Sequence, residues 1–152
     1  MMKKPRILVT SAREALRYVM THIDHPDQND TYAAISIQDT WNGGFGFQLS
    51  ENRYCKGVLT LYFDDIEEPD YGFKLFKKEQ ALDIIYFIKE HKNVDTLLIH
   101  CYAGVSRSKA VGVFAREYLG IQPTKDIVFN DYVYFMLKHV ADEIGESEVK
   151  YE

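Results

Sequence analysis

The stretch His100-Cys101-Tyr102-Ala103-Gly104-Val105-Ser106-Arg107-Ser108 constrains this chain more than any other. An apolar run, Thr96-Leu97-Leu98-Ile99-His100, leads straight into it, and a helical pattern from Arg107 to Leu119 leads straight out. A strand, a short loop and a helix are therefore expected in immediate succession. Such a junction turns consecutive backbone N–H groups into one concavity. The first-turn N–H groups of the helix have no intrahelical partners and point into the same space. The helix dipole adds partial positive charge there. Gly104 allows a backbone conformation or a close approach that a side chain would block.

Cys101 and Arg107 frame this anion cradle, with five residues between them that let the loop curl until the arginine closes it. A planar guanidinium can grip two phosphate oxygens at once, which a lysine ammonium cannot. The same positive field favours the thiolate of Cys101, the form that acts as a nucleophile. A site that stabilises a thiolate also stabilises the anionic oxygens of a transferring phosphoryl group. These residues point to a loop that holds a phosphate against a thiolate.

His-Cys-x-x-Gly-x-Ser-Arg-Ser resembles the signature of the cysteine-dependent protein tyrosine phosphatases, in particular their dual-specificity branch. The match covers the motif completely and extends more loosely over Gly57 to Leu119; before Gly57 only the expected order of elements is similar. The resemblance implies that Cys101 is the nucleophile and forms a phosphocysteine, and that Arg107 binds phosphate in ground and transition states. The backbone of Tyr102, Ala103, Gly104, Val105, Ser106 and Arg107 would supply the N–H cradle. Ser108 would donate a hydrogen bond to the sulfur, making it a better leaving group in the second step. His100 would orient the loop from behind.

The family also needs a general acid, because the leaving oxygen must be protonated as its bond to phosphorus breaks. The resemblance puts this acid on a loop after another strand. Val58-Leu59-Thr60-Leu61-Tyr62-Phe63 alternates two apolar-rich faces and reads as that strand. It runs into Asp64-Asp65-Ile66-Glu67-Glu68-Pro69-Asp70. Asp65 best fits the family position, with Asp64 and then Asp70 as alternatives. The remaining carboxylates read as a solvated acidic turn.

Length and composition suit a small enzyme. The 152 residues make one domain, residues 1–152, long enough for a single sizeable core. The hydrophobic fraction of 46% and aromatic fraction of 14% indicate a packed globule. No apolar run approaches the roughly 20 residues of a membrane-spanning helix. The basic start, Met1-Met2-Lys3-Lys4-Pro5-Arg6, is followed by too short an apolar run for a signal peptide. Two cysteines do not suggest a disulfide framework, and the nucleophile must stay reduced, so a cytoplasmic location is expected. A net charge of −5 argues against nucleic acid or an anionic membrane as a partner.

Ile7-Leu8-Val9-Thr10 reads as a short strand, and Ser11-Ala12-Arg13-Glu14 has capping-box spacing that opens a helix to about His22. A polar loop over His22 to Asp30, a strand over Tyr32 to Ile37 and a loop over Trp41 to Phe47 follow. Lys77 to His91 has Ala81, Leu82, Ile85 and Ile88 at helical core spacing, and Thr124 to Ile144 holds one or two closing helices. Strands alternating with helices imply an α/β fold with a central, largely parallel sheet flanked by helices. The resemblance makes it protein tyrosine phosphatase-like.

Other motifs carry less. His22, Asp24 and His25 are too close together for a closed zinc site and read as loop polarity. Gly43-Gly44-Phe45-Gly46 lacks the lysine and helix of a phosphate loop and reads as a turn near the active-site rim. Cys55 reads as an incidental free cysteine, a disulfide with Cys101 being the alternative. The resemblance therefore implies a metal-independent phosphatase acting on phosphotyrosine, with phosphoserine and phosphothreonine left open, on a phosphorylated protein or peptide, without cofactor. A phosphoinositide or RNA 5′ phosphatase and an inactive phosphate-binding module are the alternatives. Arg107 is the only cation in the loop, which disfavours highly anionic substrates. The sequence carries no signal of oligomeric state.

Overall fold

The expected alternation is realised as β1 (Arg6–Thr10), α1 (Ala12–Asp24), β2 (Tyr32–Gln38), β3 (Cys55–Tyr62), α2 (Lys78–Glu90), β4 (Thr96–His100), α3 (Arg107–Tyr118) and α4 (Asp131–Lys150), with a short 3₁₀ turn at Trp41–Gly43. The computed structural model describes residues 3–25 and 29–150. Of the expected polar loop 22–30, Pro26, Asp27 and Gln28 lie outside the described residues, as do Met1 and Met2 at the basic start. The closing segment is one helix: 124–130 is not helical, and the acidic stretch after Asp142 continues α4 to Lys150.

The four strands form one parallel sheet in the order β1-β4-β2-β3. Every residue of β2 and β4 is buried, as expected of central parallel strands covered on both faces. Side chains alternate between those faces. Ala33, Ile35 and Ile37 of β2 and Leu97 and Ile99 of β4 join the main core, which α2, α3 and α4 cover with Ile84, Ile85, Ile88, Phe114, Val133 and Leu137. Ala34 and Leu98 face the other way and pack against Ala15 of α1. The α1-side row then turns polar towards the carboxyl edge, with Ser36, Gln38 and His100, all buried.

Because every strand is parallel, Thr10, Gln38, Tyr62 and His100 end at one edge of the sheet. Ligand sites of open α/β sheets form outside that edge. α3 starts there and returns across β1. A Cβ on Gly112 would lie 2.5 Å from Val9 Cγ2, so the glycine sets how closely this helix docks. Gly112→Val should therefore destabilise the fold by about 1–3 kcal/mol through overpacking. Urea denaturation would read this as a lower midpoint with an unchanged slope.

Candidate active site

Cys101 is the first residue after β4, and its side chain is buried beneath the loop that follows. Gly104 has φ +78°, and a Cβ there would lie 2.6 Å from the Thr10 carbonyl carbon and the Ser11 nitrogen. Only a glycine can both adopt this conformation and sit against the end of β1. The Ala12 N–H donates to the Tyr102 carbonyl at 3.0 Å, so the first turn of α1 also holds the loop. With the loop so curled, the Gly104 N–H donates to Cys101 Sγ at 3.2 Å. The Ser108 hydroxyl lies 3.0 Å from the same sulfur.

His100 lies behind the loop. Its Nδ1–H donates to the Cys101 carbonyl at 3.0 Å, which leaves Nε2 to accept from the Ser36 hydroxyl at 2.6 Å. Burial pushes the imidazole below its usual range, the Cys101 carbonyl opposes this, and the Arg107 charge adds to the downward shift. His100 is thus a neutral, singly protonated ring that fixes the carbonyl of the cysteine it precedes. Phe45 and Phe47 pack on its ring, and Phe45 also contacts Tyr102. The glycine-rich turn is therefore a support for the loop, and Trp41 at its start reaches the rim of the cavity.

Arg107 opens α3 with its side chain only 5% exposed. Nη1 donates to the Phe63 carbonyl at 2.8 Å and forms an ion pair with Asp39, 2.7 Å from Oδ1. Nε is buried and has no partner among the described residues. Buried N–H groups without a partner are rare, so this one calls for an explanation.

The acidic loop after β3 divides into three parts. Asp64 is buried and accepts from the Thr40 N–H at 3.1 Å, the Thr40 hydroxyl at 2.6 Å and the Lys74 N–H at 2.7 Å. Burial raises its carboxyl, but these donors, with the charge of Arg107, outweigh that and hold it below the usual carboxylate range. Asp64 is therefore an ionised clamp between two loops. Asp65 is exposed, and its Oδ1 accepts from the Ser106 hydroxyl and from Asn130 Nδ2, both at 2.8 Å. Asp70 lies in a neighbouring groove with Glu67 and Glu68.

A cavity of about 350 Å³ joins these groups. Cys101, Arg107, Asp65, Asp64, Tyr102, Ala103, Val105 and Ser106 line it, together with Asp39, Trp41, Ile66 and Phe73. Gly104 backs the loop and Ser108 lies below the sulfur, both outside the lining. Asp39 and Asn130 are missing from the sequence reading. Position at the carboxyl edge of the sheet, one residue past β2, is the signal that points to Asp39. Asn130 has none, since its side chain looks like an ordinary helix cap until the fold brings Asp65 to it.

The remaining candidates are used elsewhere. His22 is buried against Tyr18, Tyr32 and Tyr54, with one ring nitrogen on the Tyr18 carbonyl and the other on Asp30. Among the described residues, no group of three histidine, cysteine or acidic side chains is placed to hold a metal ion. Cys55 is level with Thr96, since Tyr32 pairs with both. Cys101 lies five residues further along, roughly 16 Å at about 3.3 Å per residue, so the two cysteines cannot form a disulfide. Burial pushes the Cys55 thiol up, as expected of an inert core cysteine.

No family model matches the chain, and no curated protein matches it. Among solved structures, that of Tk-PTP, a protein tyrosine phosphatase, in its active form superposes with a TM-score of 0.56. The two share 20% sequence identity, and the match covers 92% of each chain. The fold is protein tyrosine phosphatase-like. No helix among the described residues is long and apolar enough to cross a membrane.

The clamp role of Asp64 carries a pH signature. Asp64→Asn should cost about 1–3 kcal/mol of stability at neutral pH, the range for leaving buried donors poorly matched. A carboxyl held low in the folded state contributes stability that is fully present above its unfolded value of about 3.9 and is lost as pH falls through the folded value. Urea denaturation of wild type and variant should differ at pH 7 and converge in acid.

Proposed function

We propose that this chain is a metal-independent phosphatase that hydrolyses phosphotyrosine on proteins or peptides through a phosphocysteine intermediate. The observation that carries this reading is one cavity lined by Cys101, by Arg107 with an unpartnered buried Nε–H, and by Asp65. In the first step the Cys101 thiolate attacks phosphorus. The S–P bond forms as the P–O bond to the tyrosine breaks, and Asp65 gives its proton to the leaving oxygen. Loop N–H groups and the Arg107 Nε–H hold the equatorial oxygens, where charge is greatest in transit. In the second step water attacks phosphorus and gives its proton to Asp65. The S–P bond breaks, and the Ser108 hydroxyl stabilises the returning thiolate.

Asp65 is the acid in this scheme because the two alternatives have other places. Asp64 is held ionised by three donors, and Asp70 lies in the neighbouring groove. The rim residues Trp41, Phe73 and Tyr102 are exposed aromatics, which suits an aryl phosphate. Further phosphates on a phosphoinositide or an RNA 5′ end would face Asp39, Asp64 and Asp65 with no cation but Arg107 in the lining. A cytoplasmic setting goes with the chemistry, since Cys101 has to stay reduced.

The test is a panel of phosphotyrosine, phosphoserine and phosphothreonine peptides set against a phosphoinositide and an RNA 5′-triphosphate. Fastest turnover of the phosphotyrosine peptides is expected, and a preference for either non-protein substrate would overturn the reading. Cys101→Ser should abolish turnover of an aryl phosphate while still binding vanadate, because the N–H cradle survives. Arg107→Lys should lose both binding and rate, since a point charge cannot replace the fork.

The acid has its own signature. Asp65→Asn should slow a poor leaving group by about 10²–10⁴-fold while barely affecting an activated aryl phosphate, because protonation matters only where the leaving oxygen is basic. Asp70→Asn, with the same change of charge, should show no such dependence in a leaving-group series. Equal slowing of both substrates by Asp65→Asn would take the role away from it.

A further inference from the structure

Asp39 has no part in the scheme above, yet its carboxylate lines the same cavity and makes the shortest contact to Arg107. A second anion beside a phosphate site is electrostatically unfavourable for a dianionic ligand. We propose that Asp39 is a positioning residue for Arg107: it holds one end of the guanidinium so that the Nε edge is presented to the phosphate. The inference rests on the phosphate-binding reading of this site.

The geometry comes from the register of two strands. Gln38 and Tyr62 are paired at the ends of β2 and β3, so Asp39 and Phe63 leave the sheet side by side. The Phe63 N–H still donates to the Gln38 carbonyl at 3.2 Å, which keeps the two strand ends together. Nη1 carries two protons. One goes to the Phe63 carbonyl at 2.8 Å, and Asp39 Oδ1 lies 2.7 Å from the same nitrogen as its ion-pair partner. That end of the guanidinium is held by two strand ends that do not depend on a bound ligand. Nε is left buried and unpartnered.

The other nearby carboxylates are engaged elsewhere. Asp64 accepts three hydrogen bonds from Thr40 and Lys74, and Asp65 is held by Ser106 and Asn130. Asp39 is therefore the carboxylate that fixes the arginine. Its side chain is 38% exposed against 5% for Arg107, so the pair is half in water. An arginine fixed before the ligand arrives spends no binding energy on being ordered.

The experiment uses the full chain and measures vanadate affinity, with kcat and KM for an activated aryl phosphate. Asp39→Ala should weaken vanadate binding and lower kcat/KM, by an amount of order 10²-fold for a misplaced catalytic group. Asp39→Asn keeps an acceptor for Nη1 and should recover most of that loss, which a charge effect alone would not give. In an Arg107→Ala background, Asp39→Ala should add no further loss, whereas a general structural role would cost the same in both backgrounds. Vanadate binding as tight or tighter in Asp39→Ala and Asp39→Asn would overturn the inference and make Asp39 a competitor for the arginine. Should the wild type bind vanadate but turn over no phosphoester, the catalytic reading fails while the binding arms still decide the role of Asp39. A wild type that binds no oxyanion overturns both.

Discussion

The contact between Gly104 and the end of β1 shapes the site. Thr10 pairs with His100, so the last residues of β1 and β4 lie side by side. The loop leaving β4 must then turn against Thr10 and Ser11, at a distance that leaves no room for a Cβ. That turn directs the Gly104 N–H back at the cysteine sulfur and starts α3 at Arg107. Ser11 meanwhile caps α1 in a reciprocal pair with Glu14, so a helix start and the loop are fastened to the same strand end. A few backbone atoms thereby fix the relative positions of thiol, amide cradle and arginine.

Around this backbone the charges are arranged so that few compete. His100 is neutral, which spares the site a second cation that would divide the attraction for anions. Asp64 is ionised but spent on Thr40 and Lys74. Arg107 is tied at Nη1 and open at Nε. A buried guanidinium costs several kcal/mol in desolvation unless it is well hydrogen-bonded. Asp39 and the Phe63 carbonyl offset part of that, and a bound anion would supply the rest.

The closing helix joins the site through its cap. Asn130 accepts from the Val133 N–H with its side-chain oxygen and donates from its nitrogen to Asp65 and to the Ile66 carbonyl. Glu67 accepts from the Asp131 N–H at the same end. The acidic loop is thus anchored to the start of α4, and α4 is anchored to the core by Val133, Leu137 and Val140. Burial far from the cavity holds Asp65 against the Ser106 hydroxyl.

Local pattern carried much of this. The strand, loop and helix around Cys101 follow from an apolar run, a glycine and a helical period within a few residues, and all three contribute to one backbone turn. β2 and β3 pair in parallel with only a short 3₁₀ turn between them, whereas the parallel pairing of β4 with β1 and β2 follows from strands alternating with helices, and the capping box at Ser11 from spacing alone. Those features are legible because their causes are short-range. The partners of Arg107 and Asp65 are not, because each bond joins residues far apart in the chain: Asp39 with Arg107, Asp65 with Asn130, Ser36 with His100. The acidic run 64–70 offered three similar aspartates, and nothing local distinguishes a buried clamp from an exposed one beside the cavity. Sequence by itself determined the strand–loop–helix junction around Cys101 and the order of elements. Only the register of the strands and the packing of α4 decided how the carboxylates around the cavity are held, because they decide which distant side chains share the carboxyl edge of the sheet.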